Sequence, residues 1–155
     1  LYGADLVAWL SDLLSERGIA GHRLQFEITE SQLMDDPIKA IEIIGKMRAL
    51  GIRTSIDDFG TGYSSLAYLK HLPIDELKID RSLVGNMVAN TSDMAIVRST
   101  IDLSHNLGLA VVAEGVEDAA TLDLLRELGC DRAQGFHIGR PVPAAAITQL
   151  LESRS

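Results

Sequence analysis

Short apolar strands alternate with amphipathic helices along this chain, and a glycine marks four of the crossings from helix to strand. Helical patterns stop at Arg17-Gly18-Ile19, Leu50-Gly51-Ile52, Leu107-Gly108-Leu109 and Leu128-Gly129-Cys130. Glycine just past a helix takes the left-handed conformation that ends it without steric cost. The helices before these marks space their core-facing residues three and four apart. Leu6, Leu10, Leu13 and Leu14 do so in the first, and Ile38, Ile41, Ile44 and Met47 in the second. Ile96, Thr100, Leu103 and Leu107 follow, then Leu122, Leu125 and Leu128. Asp36 before Pro37, Ser92 before Asp93, and Asp118 are expected to cap helix starts. Strands are predicted near residues 24–29, 52–57, 76–80, 110–114 and 131–135, with a last helix over about 143–152.

This alternation predicts βα units with parallel strands. A full (βα)8 barrel takes about 250 residues. The 155 residues here therefore suit either a smaller open sheet or a TIM-like barrel lacking its N-terminal strands.

Acidic residues recur where the strands end. Glu27 lies in Leu24-Gln25-Phe26-Glu27-Ile28-Thr29-Glu30, Asp57-Asp58 follow Ile52 to Ile56, Asp80 follows Lys78-Ile79, and Glu114 follows Ala110 to Ala113. Side chains alternate faces along a strand, so Glu27, Asp57 and Lys78 with Asp80 oppose their apolar neighbours. A parallel α/β sheet gathers such residues at its C-terminal edge. Carboxylates converging there repel unless cations or protons offset them, which predicts a divalent-metal site. Hard oxygen ligands suit Mg²⁺ or Mn²⁺.

Each segment also has a plainer reading. Asp57-Asp58 are expected to point in diverging directions, but Asp58 could simply cap the turn through Gly60 and Gly62, with Ser64 opening a helix to Leu72. Thr29-Glu30 could be a helix cap with a first-turn acid, and Glu117 could cap the helix after Glu114-Gly115-Val116. Lysine is rarely buried unpaired, so Asp80 is the expected partner of Lys78, and the plainer reading of the two is a structural ion pair. Gln134 could reach the mouth or satisfy backbone groups. His22, His71, His105 and His137 lack ligand spacing and are expected at the surface, while Trp9 and Cys130 are expected in the core.

Composition narrows the class. With 46% apolar residues the chain can bury one core, as one domain. A net charge of −8 argues against a nucleic-acid polymer as partner. The single Cys130 fits a reducing compartment. No apolar run approaches the roughly 20 residues of a membrane span, so a cytoplasmic location without membrane contact from this segment is expected.

Taken in order, five segments resemble the EAL-domain family of cyclic-di-GMP phosphodiesterases. Phe26-Glu27-Ile28-Thr29-Glu30-Ser31 is similar to the family's E-x-T-E segment, and Asp57 to Leu66 to its D-D-F-G-x-G-x-S-S-L loop. Lys78-Ile79-Asp80-Arg81-Ser82 resembles its K-I-D-R-S-F segment, with Leu83 at the phenylalanine position. Val112-Ala113-Glu114-Gly115-Val116-Glu117 resembles A-E-G-V-E, and Gln134-Gly135-Phe136 with Arg140-Pro141 resembles Q-G-[YF]…R-P.

The resemblance implies a TIM-like (βα)8 barrel, here incomplete with about five βα units, residues 1–155 being the C-terminal portion of one domain. It implies two Mg²⁺ or Mn²⁺ ions held by Glu27, Asp57, Asp58 and Glu114, and a water held or activated by Lys78. Asp80, Glu117 and Gln134 would complete the shell, and Glu30 would anchor the loop bearing Asp57 and Asp58. The substrate would be cyclic-di-GMP and the product linear pGpG. The family's Glu-Ala-Leu motif and an asparagine ligand belong upstream of Leu1, so this segment alone is expected to be inactive. A non-catalytic cyclic-di-GMP receptor is the alternative, and so is an interaction module. A homodimer through the loop and helix around residues 59–72 is expected, as are upstream sensory or GGDEF-type domains.

Overall fold

The computed structural model describes residues 4–60 and 69–153. Five strands form one sheet: β1 (Gln25–Thr29), β2 (Arg53–Phe59), β3 (Glu76–Ile79), β4 (Ala110–Glu114) and β5 (Arg132–Gln134). They lie in sequence order, and every neighbouring pair is parallel. Sequential order with parallel pairing is the arrangement of consecutive barrel strands.

Helices return the chain between strands. They are α1 (Ala4–Arg17), α2 (Glu30–Asp35), α3 (Pro37–Ala49), α4 (Arg81–Val84), α5 (Thr91–Asn106), α6 (Ala119–Glu127) and α7 (Ala144–Glu152). Gly18, Gly51, Gly108 and Gly129 all have positive φ, as the stop signals require. Asp36 and Asp118 cap α3 and α6 through bonds from Lys39 N and Thr121 N. The cap of α5 is Asn90 rather than Ser92: its side chain accepts from Ser92 N and Asp93 N, so the helix begins earlier than its apolar spacing suggests. The short helices α2 and α4 carry too few residues to show a period.

One face of the sheet is apolar. Ile56, Leu77, Ile79, Val111 and Ala113 pack with Ala40 and Ile44 of α3, Val97 and Ile101 of α5, and Leu125 of α6. A smaller cluster joins Leu10 and Leu14 of α1 to Met47 and Ile52. Trp9, expected inside, is 57% exposed, because it lies one residue round the helix from the Leu10–Leu14 stripe. Cys130 is partly buried. All four histidines are exposed. Among the described residues, no helix is long and apolar enough to cross a membrane.

Candidate metal centre

The other face of the sheet is polar, and its charges meet at the C-terminal ends of the strands. Lys78 of β3 is the hub. Its Nζ lies 3.1 Å from Glu27 Oε2 on β1, 3.1 Å from Asp57 Oδ1 on β2 and 2.7 Å from Glu114 Oε1 on β4. The lysine side chain is only 7% exposed. Burial works against its charge, yet hydrogen bonds to Glu114, Asp57 and Glu27 more than offset this and raise its pKa above the ordinary lysine value. Asp80, the partner expected from spacing, is not among these ion pairs. It turns instead to the start of α4, where its carboxylate accepts from Ser82 N at 2.9 Å. Partial burial opposes its charge, but hydrogen bonds from Ser82 and Arg81 hold its pKa below the usual value.

Asp57 and Asp58 do not simply diverge. Register between β2 and β3 runs Ile56↔Leu77 and then Phe59↔Ile79, so β2 carries one extra residue at this point. Such a bulge re-aims side chains. Asp58 takes φ 56°, a left-handed conformation that aspartate tolerates better than most residues. As a result Asp57, Asp58 and Glu114 each place a carboxylate oxygen within 4.8 Å of the others. Glu27 joins this trio through Lys78. Asp58 feels the shortage of positive charge: burial, then the charges of Asp57 and Asp80, raise its pKa, with Lys78 offsetting part of that. A hydrogen bond with Asp80 favours the protonated form further. Three hard oxygen donors and an acid short of counter-charge fit a divalent cation such as Mg²⁺ or Mn²⁺.

The support is built from the same motifs. Thr29 and Gln32 form a capping box at the start of α2, which turns the buried Glu30 back towards β2. There Glu30 Oε2 accepts from Gly60 N at 3.0 Å, immediately beyond Asp57-Asp58-Phe59. Residues 61–68, with Gly62 and Ser64, lie outside the described residues.

A family model described as the EAL domain matches residues 1–141. The chain belongs to the EAL-domain family of cyclic-di-GMP phosphodiesterases. It is 44% identical over 150 residues to "Cyclic di-GMP phosphodiesterase NbdA" of Pseudomonas aeruginosa, a match covering 97% of this chain and 19% of that protein. It is 45% identical over 150 residues to "Bifunctional diguanylate cyclase/cyclic di-GMP phosphodiesterase MucR" of the same organism, covering 97% and 22%. The solved MucR phosphodiesterase in complex with c-di-GMP superposes with a TM-score of 0.89 at 44% identity, covering 93% of this chain and 58% of that one. A manganese and c-di-GMP complex of Klebsiella pneumoniae BlrP1 gives 0.80 at 33% identity, covering 87% and 34%. The chain thus spans about a fifth of the length of these two curated relatives. Its five parallel strands match the TIM-like architecture of EAL structures.

The segments Ala113 to Glu117 and Gln134 to Phe136, at the ends of β4 and β5, flank the Lys78 cluster on its other side. Glu114, Glu117 and Gln134 line a cleft of about 220 Å³ with Arg81, Gly115, Gly135 and Phe136. Glu117 does not cap α6, which Asp118 does. A side chain at Gly135 would put its Cβ 2.1 Å from the Val116 carbonyl oxygen, and one at Gly115 would meet Arg81 Cβ at 2.4 Å. At Gly135 backbone packs directly on backbone, whereas Gly115 takes a positive φ of 73° and lies against Arg81. Arg140 lies over the Phe136 ring, 4.4 Å from its centroid.

One layer of the polar face escaped the sequence reading. Below the Lys78 cluster, the buried Glu76 accepts from Gln25 Nε2 at 2.7 Å and pairs with Arg132 of β5. Gln25 Nε2 also donates to Ser55 Oγ at 3.2 Å. The signal was available: Gln25, Glu76 and Arg132 each sit two residues before a predicted site residue, hence on the same face.

Proposed function

We propose that this chain forms most of the catalytic mouth of a metal-dependent phosphodiesterase that hydrolyses cyclic-di-GMP to linear pGpG. The observation that carries the reading is the convergence of Asp57, Asp58 and Glu114 oxygens within 4.8 Å, delivered by two different strands around a buried lysine. Membership of the EAL family and the c-di-GMP named with the MucR and BlrP1 structures supply the substrate.

Glu27, Asp57, Asp58 and Glu114 would hold two Mg²⁺ or Mn²⁺ ions. Such ions, when bound, lower the pKa of water and offset negative charge on phosphodiester oxygens. The chain's own residues then divide the remaining work. Lys78, buried beneath the carboxylates, holds and orients the attacking water through its N–H groups. Asp80, held at the start of α4 by Ser82 N, completes the shell beside Asp58. Glu30 keeps the Asp57–Asp58 segment in place through Gly60 N. Glu117 and Gln134 face the cleft from the β4–β5 side, where they would contact the dinucleotide. Water adds to one phosphorus, one ring P–O bond breaks, and the freed ribose oxygen takes a proton.

The reading extends to residues 1–155 as part of one catalytic domain, preceded in the whole protein by sensory or GGDEF-type domains as the MucR name suggests. It also includes a cytoplasmic location, in keeping with a lone cysteine, and a homodimer through residues 59–72. Most of that segment lies outside the described residues. The test is to incubate the full-length protein with cyclic-di-GMP in Mg²⁺ or Mn²⁺ and separate the nucleotides. Appearance of pGpG, lost in chelator, supports the reading. Binding without turnover contradicts it in favour of a receptor.

A further inference from the structure

We propose that Lys78 is a built-in counter-ion of the carboxylate cluster, and that a divalent ion bound there competes with its ammonium for Asp57 and Glu114. This rests on the reading of the centre as a metal site.

An ammonium has three N–H donors and no acceptor. Lys78 meets three carboxylate oxygens, one each from β1, β2 and β4, at 3.1, 3.1 and 2.7 Å. Its side chain is 7% exposed, so solvent has little access to it. Every donor is therefore matched to a carboxylate, and none is left for a water. Two of the three, Asp57 and Glu114, belong to the trio that would bind the cation. The lysine and the ion draw on the same negative charge, and they repel each other at short range.

Three consequences follow from that arrangement. The cluster of acids is tolerable without metal because a cation from the chain already sits among them. Metal affinity is lower than the donor set alone would give. Lys78 gains a free N–H to hold a water only once an ion has taken over part of the carboxylate charge. The lysine thus ties water-holding to metal occupancy, so the centre responds to the free divalent-ion concentration.

The experiment compares the full-length wild type with Lys78→Met and Lys78→Arg, using Mn²⁺ alone and no nucleotide. Thermal unfolding in chelator and Mn²⁺ titration are the readouts. Lys78→Met should unfold at lower temperature than wild type in chelator, gain more from Mn²⁺, and bind it about tenfold tighter or more. Lys78→Arg, which keeps the charge, should stay near wild type in affinity. If Lys78→Met folds only when Mn²⁺ is present, the proposal is supported equally. It is overturned if folded Lys78→Met binds Mn²⁺ no tighter than wild type, or if it stays unfolded in saturating Mn²⁺. Failure of the wild type to bind Mn²⁺ at all would remove the metal-site reading itself, a result distinct from these.

Discussion

Asp58 concentrates the tensions of the site in one residue. It adopts φ 56°, and its carboxyl is partly desolvated beside Asp57 and Asp80. Its folded-state pKa is held above the ordinary 3.8, so the folded chain keeps this proton to higher pH than the unfolded one does. The contribution to stability therefore falls as pH rises from the ordinary value through the raised one. Protons and metal compete for the same oxygen, so Mn²⁺ affinity should climb with pH across that window. Asp58→Asn should flatten this part of the pH dependence in Mn²⁺ titrations and weaken binding, while raising metal-free stability above the window. The sequence made Asp57-Asp58 conspicuous, because paired aspartates at a strand end have few structural uses. It did not show the bulge that brings both to one face, since an extra residue in β2 is visible only against its neighbour β3. Nor did it give Lys78 its partners. Spacing along one strand offered Asp80, whereas the actual carboxylates come from β1, β2 and β4.

Elements hold these residues by short, specific contacts. Glu30, at the start of α2, reaches across to Gly60 N and so pins the end of β2. Glu30→Ala should lower metal affinity and turnover about 10–100-fold, as loss of a supporting hydrogen bond does at metal sites, with circular dichroism unchanged. Gly135 lets the β5 end lie against Val116, where a Cβ would stand 2.1 Å from a carbonyl oxygen. Gly135→Ala should cost about 1–3 kcal/mol of stability, measured by urea unfolding, because backbone on the other side cannot yield as a side chain can. Element positions were largely legible. The glycine stops, the caps at Asp36 and Asp118 and the period-two strands all act within a few residues of each other. Asn90 was missed as a cap because Ser92 and Asp93 nearby offer the same chemistry. Trp9 was misplaced because type alone suggested burial, although its helix buries the adjacent Leu10.

Across the molecule, strand order converts alternation into two surfaces. The apolar surface packs on α3, α5 and α6. The polar surface carries two layers, with the Lys78 cluster at the mouth and Glu76 with Gln25 and Arg132 beneath it. The lower layer ties β1, β3 and β5 together beneath the mouth. Arg132→Met should leave the buried Glu76 short of a partner and cost about 1–3 kcal/mol, again read from urea unfolding. Such a layer is hard to see in sequence, because Gln25, Glu76 and Arg132 are ordinary surface residue types and only neighbours from distant segments bury Glu76. If oxygens from separate strands grip divalent ions together, an ion must sit where those strands end. The most direct measurement is the crystal structure of the full-length protein grown with Mn²⁺, located by anomalous scattering. A manganese peak is expected within bonding distance of Asp57, Asp58 or Glu114 oxygens from more than one strand; an empty mouth at saturating Mn²⁺, with Lys78 still holding all three carboxylates, would rule the metal centre out.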